Sequence, residues 1–314
     1  MAAHKIAVVQ APSVLLDREG SVARAVTLLD EAAAAGARLV VFPEAYIPGY
    51  PDWIWRLRPY PDVKLAAELH ERLLANAVDL STDVLAPVLA AAARHGLTVV
   101  MCVQERDAGF SRATLYNTAL VIDAAGKIAN RHRKLMPTNP ERMVWGFGDA
   151  SGLRVVSTPV GRVGTLLCWE SYMPLARCAL YAEGVEIYVT PTWDYGEGWR
   201  ASMQHIAREG RCWVVTACMC VQARDVPADF PGRAQLYPDE EEWLNPGDSL
   251  VVDPGGKIVA GPMSREKGIL YAEIDPDRVA GAHRSFDVVG HYSRPDVFRL
   301  EVDRTPAAPV SFKK

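Results

Sequence analysis

The chain has 314 residues, 49% of them apolar, a mean hydropathy near zero, and 34 basic against 38 acidic side chains. Such a chain can bury a substantial core, and its scattered charge excludes the basic stripe that binding to a nucleic-acid backbone needs. Nowhere do about 18 apolar residues follow one another, and the apolar run in the opening "MAAHKIAVVQ" is too short for a signal-peptide core, so the expectation is a soluble cytoplasmic protein with no membrane partner. Six cysteines without regular spacing read as reduced thiols rather than a disulfide framework.

In chain order, β-rich runs occur at residues 5–10, 38–42, 97–104, 117–123 and 162–168, then at 186–190, 212–218, 249–253 and 268–274. Helical patterns lie between the early runs at 21–37 and 82–96, the second expected to start from a Ser81/Thr82 cap and to stop at Gly96. The alternation predicts an α/β chain. Residues 121–134 and 251–261 each read as strand, Gly-containing turn, strand, so the sheets should be mixed rather than purely parallel. The likeness of these two hairpins suggests internal duplication. Without a Gly/Ser-rich or Pro-rich linker, residues 1–302 are expected to form a single domain, with 303–314 ("DRTPAAPVSFKK" and its neighbours) as a C-terminal tail.

Three segments share one design: an apolar strand with a chemically capable side chain at its end, which is where sheet proteins place chemistry. "VVFPEAYIPGYP" places Glu44 just after a buried strand, "RHRKLMPTNPERMVWGFGD" delivers Lys134 and then Glu141, and "TLLCWESY" ends its strand at Cys168 before turning into a helical segment. A thiol with an ordinary pKa of about 8.5 is mostly protonated at neutral pH, so a nucleophilic cysteine needs a base or a positive field. None of the seven histidines sits in a recognisable cysteine-protease or transglutaminase-like context, so a Cys-His pair stays open without support, and the alternative activators are carboxylates and a lysine.

"FPEAYIPGYP", "RKLMPTNPERMVWGFGD" and "TLLCWESYMPL" resemble, in order and spacing, the three signature regions of the nitrilase branch of the carbon-nitrogen hydrolase superfamily. The resemblance extends to residues 202–218, 247–262 and 286–298. It implies a four-layer αββα sandwich with mixed β-sheets, association into homodimers or larger assemblies, a small-molecule nitrile as substrate, and no metal or organic cofactor. It also implies that Glu44, Lys134 and Cys168 form a catalytic triad, with Glu141 as a second glutamate. "CWE" after the nucleophilic strand is closer to nitrilases than the "CYD" of amidase and carbamoylase branches. "GFGD" at 146–149 replaces the commoner "GQGD", a departure that bears on the pocket lining.

In that reading Cys168 attacks the nitrile carbon, Glu44 relays the thiol proton to nitrogen, and Lys134 with the backbone N–H of Trp169 stabilises the charge developing there. Glu44 should then have a raised pKa, from burial or from Glu141, which is also placed to hold Lys134. Trp193, Tyr195, Trp145 and the "WIW" at 53–55 are candidates for the substrate pocket.

Each residue also has a plainer reading. Cys168 alone would be a packed thiol, Glu44 a loop acid, Lys134 part of a solvated basic run, and Glu141 one half of a surface pair with Arg142. Glu170 is expected to cap or pair near the following helix rather than react. The "CMC" at 218–220 should place two thiols on one face of a strand as core packing, like Cys102, Cys178 and Cys212. Two other functions fit the same fold, an amide hydrolase using the same groups and a non-catalytic scaffold; retention of all four polar groups argues against the scaffold.

Overall fold

The computed structural model describes residues 3–58 and 60–310. Thirteen strands occur among them. The first five are β1 (His4–Val9), β2 (Leu39–Val41), β3 (Thr98–Arg106), β4 (Leu115–Ile122) and β5 (Ile128–Arg133). There follow β6 (Val155–Thr158), β7 (Gly161–Thr165), β8 (Ile187–Thr192), β9 (Trp213–Cys218), β10 (Cys220–Gln222), β11 (Trp243–Val252), β12 (Ile258–Ser264) and β13 (Ile269–Ile274). One sheet has the order β13-β1-β2-β3-β4-β5; the other runs β10-β11-β9-β8-β7-β6, with β12 paired to β11. Both are mixed: β1, β2 and β3 are parallel neighbours, as are β7, β8 and β9, whereas the β4–β5 and β11–β12 hairpins are antiparallel.

Period-2 burial explains the layering, because strands apolar on both faces can be covered on both. On β1, Ile6 and Val8 enter the layer between the sheets, where they meet Leu39, Val41, Val100, Ile187, Val189 and Val215. Ala7 and Val9 face the other way, into a core shared with the helices α1 (Arg18–Ala34) and α3 (Ala86–His95). On the second sheet, Tyr188 and Val214 point outward to the helices α4 (Pro174–Ala182) and α5 (Glu197–Gly210). Helix, sheet, sheet, helix is therefore the order of layers, an αββα sandwich. Helix α2 (Val63–Asn76) buries only Leu69 and Leu73, and short helices α6 (Arg233–Leu236) and α7 (Asp277–His283) complete the set.

Several expectations are corrected. The strand expected at 162–168 stops at Thr165, because Cys168 takes a left-handed backbone with φ of 51° and opens a 3-10 turn over Cys168–Tyr172. The helix expected from residue 82 begins as a 3-10 turn at Asp83, and the hydroxyls of Ser81 and Thr82 bond back to Asp79 instead of capping it. Its end at Gly96, with φ of 60°, is as expected. Met219 interrupts the strand that was to carry Cys218 and Cys220, so the two thiols close β9 and open β10. Of the tail, residues 311–314 lie outside the described residues, while the Ala307 N–H donates to Asp149 and Arg304 pairs with Glu183.

Candidate active site

The ends of strands from both sheets meet at one cavity of about 280 Å³, lined by Tyr50, Asp52, Trp55, Thr138, Glu141, Cys168, Trp169, Trp193, Asp194 and Tyr195. From the first sheet, the chain leaving β2 carries Glu44, and the chain leaving β5 carries Lys134. A 3-10 turn over Asn139–Met143 then brings in Glu141, whose carboxylate accepts from the Thr138 N–H at 2.7 Å and so closes its own turn. The second sheet contributes Cys168 beyond β7 and Trp193 beyond β8.

Glu44, Lys134 and Glu141 are all buried and fused into one network. The Lys134 ammonium donates to Glu44 Oε1 and to Glu141 Oε2, each at 2.7 Å. Glu44 Oε1 also accepts from Asn117 Nδ2 at 2.8 Å, and its Oε2 from the Trp193 backbone N–H at 2.9 Å. Tyr50 donates its hydroxyl to Glu141 Oε1 at 2.7 Å, accepts from Trp55, and stacks on Trp193 with centroids 4.3 Å apart. The Thr192 hydroxyl donates to the Cys168 sulfur at 3.2 Å. Cys168 and Ala45, the residue after Glu44, both hold φ of 51°, a left-handed conformation that costs non-glycine residues energy and is concentrated at functional sites.

Electrostatics follow from burial and this pairing. Burial raises the Glu44 carboxyl; Lys134 offsets part of the rise and Glu141 adds to it, leaving the group at about 7. Burial disfavours the Lys134 ammonium, but Glu44 and Glu141 outweigh it and hold the lysine charged far above neutral pH. Cys168 is pushed well above the ordinary thiol range, first by burial and then by the charge of Glu44, with Lys134 opposing. The resting sulfur is therefore a thiol. Among the charged groups around it, Glu44, itself near neutrality, acts most strongly on that sulfur.

The sequence candidates do not all fall on the cavity wall. Trp169, Trp193 and Tyr195 line it, and Trp169 is anchored through its indole N–H to Asp194 at 2.8 Å. Trp145 is buried behind the wall, its indole N–H given to Gln104 and its ring set edge-on to Tyr50, so it packs the lysine rather than lining the cavity. Of the "WIW" run, Trp55 reaches the cavity while Trp53 packs on Phe230. Phe147 of "GFGD" is 60% exposed and outside the lining. Glu170 is fully buried and also outside it. Sequence reasoning missed Tyr50, Asp52, Asn117 and Thr192. Tyr50 had a signal, since it shares the "PEAYIPGYP" loop with Glu44; Asn117 and Thr192 look like ordinary strand residues.

The carbon-nitrogen hydrolase family matches residues 5–284 of this chain. A nitrilase of Bradyrhizobium diazoefficiens is 45% identical over 98% of this chain and 94% of its own length. An aliphatic nitrilase of Sinorhizobium fredii is 42% identical over 99% of both. Among solved structures, a carbon-nitrogen hydrolase from Helicobacter pylori superposes with a TM-score of 0.70 at 21% identity, covering 94% of this chain and 97% of that one, which supports the sandwich fold. With its two-sheet architecture and near-complete match to these relatives, the chain belongs to the carbon-nitrogen hydrolase family, on its nitrilase branch.

Proposed function

We propose that this enzyme hydrolyses organic nitriles to the carboxylic acid and ammonia, with Cys168 as nucleophile, Glu44 as general acid and base, and Lys134 as the electrostatic partner held by Glu141. The observation that carries the reading is the fused network: a buried ammonium shared by two carboxylates, Glu44 near neutrality and Glu141 on the wall of the cavity that holds the thiol, with Glu44 and Lys134 themselves set behind that wall.

The thiol attacks the nitrile carbon as Glu44 accepts its proton, forming the S–C bond, and Glu44 passes that proton to the nitrogen to give a thioimidate. Negative charge at nitrogen is met by Lys134 and by the Trp169 N–H, in the first turn of its 3-10 segment where helical N–H groups lack an upstream carbonyl. Water then adds, the C–N bond breaks, ammonia leaves and an acyl thioester remains. A second water, deprotonated by Glu44, releases the acid and restores the thiol. Trp169, Trp193 and Tyr195, with Tyr50 and Trp55, form an aromatic wall that receives the rest of the substrate.

The same reading takes the protein as cytoplasmic, supported by six unpaired cysteines, and as a homo-oligomer, supported by exposed apolar side chains at Leu175, Tyr292 and Phe298. No helix among the described residues is long and apolar enough to cross a membrane. Ammonia release from a panel of aliphatic, aromatic and arylaliphatic nitriles beside their amides, with Cys168→Ala as control, tests the activity. Nitrile turnover lost in the variant is the expected result; turnover of amides alone would move the chain to amide hydrolysis with the same residues.

A further inference from the structure

Lys134 and Cys168 arrive on different sheets, so hydrogen bonds that run directly between their two strand ends bear on the distance between ammonium and sulfur. Glu44 spans the gap through the Trp193 N–H, but Glu44 changes charge during the reaction in the proposed mechanism. A second carboxylate spans it without reacting. Glu170, two residues beyond Cys168, accepts from Leu167 N at 2.6 Å on its own turn and from Leu135 N at 2.6 Å across the gap. Its oxygens also accept a shared hydrogen bond from His132 Nε2, at 3.0 and 3.1 Å. His132 lies on β5, and its Nδ1 is buried without a hydrogen-bond partner among the described residues, so Glu170 is the polar contact of that ring. Leu135 adjoins Lys134 and Leu167 adjoins Cys168. One carboxylate is thus bonded to the immediate neighbours of both reacting groups.

We infer that Glu170, oriented by His132, is a positioning residue that locks the Lys134 strand end to the Cys168 turn and so sets the distance between ammonium and sulfur. Every neighbour of Glu170 is a donor, which only the ionised carboxylate can satisfy. Burial works against that charge, yet His132 and the two backbone N–H groups outweigh it and keep the carboxyl below its ordinary value. Glutamine has the same shape but must turn an NH₂ toward one of these donors, so Glu170→Gln loosens the lock from one side.

This inference rests on the proposed roles of Lys134 and Cys168, and its test has arms with and without a nitrile. In Glu170→Gln, kcat should fall about 100-fold, the effect of misplacing reacting groups by roughly 1 Å, with a much smaller change in KM. Lys134, drifting from Glu44, would offset less of that carboxyl's burial, so the acid limb of kcat/KM should move to higher pH by about half a unit or more. The pH profile of Cys168 alkylation by iodoacetamide, read as adduct mass, should shift with it. Glu105→Gln is the comparison, because Glu105 is equally buried and tied to Arg131 and Arg133 on the same strand but bridges nothing to Cys168; it should lose stability while both profiles stay in place. His132→Leu removes the shared donor, should act in the same direction by a smaller factor, and carries the test if Glu170→Gln does not fold. Unshifted profiles in the Glu170 and His132 variants, or an equal shift in Glu105→Gln, would overturn the lock. A wild-type enzyme silent on nitriles would instead count against the nitrilase reading, while the alkylation profiles still decide the lock.

Discussion

The β4–β5 and β11–β12 hairpins turn on the same chemistry and end in opposite circumstances. In the first, Asp123 Oδ1 accepts from the N–H groups of Ala125 and Lys127, and its own N–H is given to the Lys127 carbonyl. In the second, Asp253 does the same with Gly255 and Lys257. Counting from these turns, Lys134 corresponds to Ser264. Yet β5 leads into the buried gap between the sheets, where Lys134 meets two carboxylates, while β12 ends exposed. Local sequence dictates the turn; what the returning strand delivers depends on where in its sheet the hairpin lies.

The most severe way to break the comparison is at those two equivalent positions. Lys134→Ala should reduce kcat/KM by roughly 1,000-fold, since removing one donor aimed at developing charge costs about 100- to 1,000-fold and here the buried glutamates also lose their counter-ion. Ser264→Ala should leave kcat/KM at the wild-type value. Steady-state kinetics on any accepted nitrile, with circular dichroism to confirm folding, decides it; near-normal turnover in Lys134→Ala would remove the charge-stabilisation step.

A subtler effect belongs to β4. In the proposed mechanism Glu44 serves as base only when ionised, so with its carboxyl at about 7 the rate should rise as pH increases through neutrality. Asn117 Nδ2 donates to that carboxylate and favours its charged form. Asn117→Ala should therefore raise the Glu44 pKa further, moving the acid limb of the kcat/KM profile upward by about half a unit, which lowers the rate at neutral pH by about twofold. Ser249→Ala on β11, whose hydroxyl serves only the Cys218 backbone, should cost stability without moving the limb. A limb unchanged in Asn117→Ala would show that another group controls it.

These contrasts also separate what was legible in the sequence from what was not. Glu44, Lys134 and Cys168 stood out as a set, because three apolar runs are each followed by a chemically capable group within motifs that resemble one family, and Glu141 followed from the loop after Lys134. The mixed sheets were legible from the two turns. Asn117 was not, because a polar residue inside "NTALVID" reads as one face of a strand until the chain leaving β2, two strands away across β3, is known to bring Glu44 beside it. Trp145 failed in the opposite direction: its place in a loop suggested a pocket, but the 3-10 turn that positions Glu141 also swings the indole inward onto Gln104. The left-handed Cys168 was hidden too, because nothing in "TLLCWE" marks a strand that stops three residues before the cysteine.

Glycines near the two hairpin strands make the next contrast. A Cβ on Gly148 would land on the Arg133 carbonyl, and a Cβ on Gly261 on the Ser249 carbonyl; neither backbone atom can rotate away. Both Gly→Ala variants should lose about 1–3 kcal/mol of stability, the usual cost of overpacking. Gly148 additionally gives its N–H to the Lys134 carbonyl at 2.8 Å, so only Gly148→Ala should also lower turnover per folded molecule. Thermal melts beside active-site titration separate the two effects, and equal turnover losses would deny the first hairpin its special place.

The smallest expected effects lie in the turns themselves. Asp123→Ala and Asp253→Ala each remove two side-chain-to-backbone hydrogen bonds, worth about 1 kcal/mol net apiece, with Asp123 half-buried and Asp253 buried. Asp253 also pairs with Arg278 at 3.0 Å, so its loss should lower the melting temperature slightly more. Activity should rank the other way. Loosening the Asp123 turn lets β5 shift in register, and any shift is passed to Lys134 at its far end, so kcat should fall about twofold. Loosening the Asp253 turn shifts only an exposed strand end, and kcat should hold. A variant that is the less destabilised of the two and yet the slower would show that the hairpin's catalytic value lies in the position of its last residue rather than in its contribution to stability.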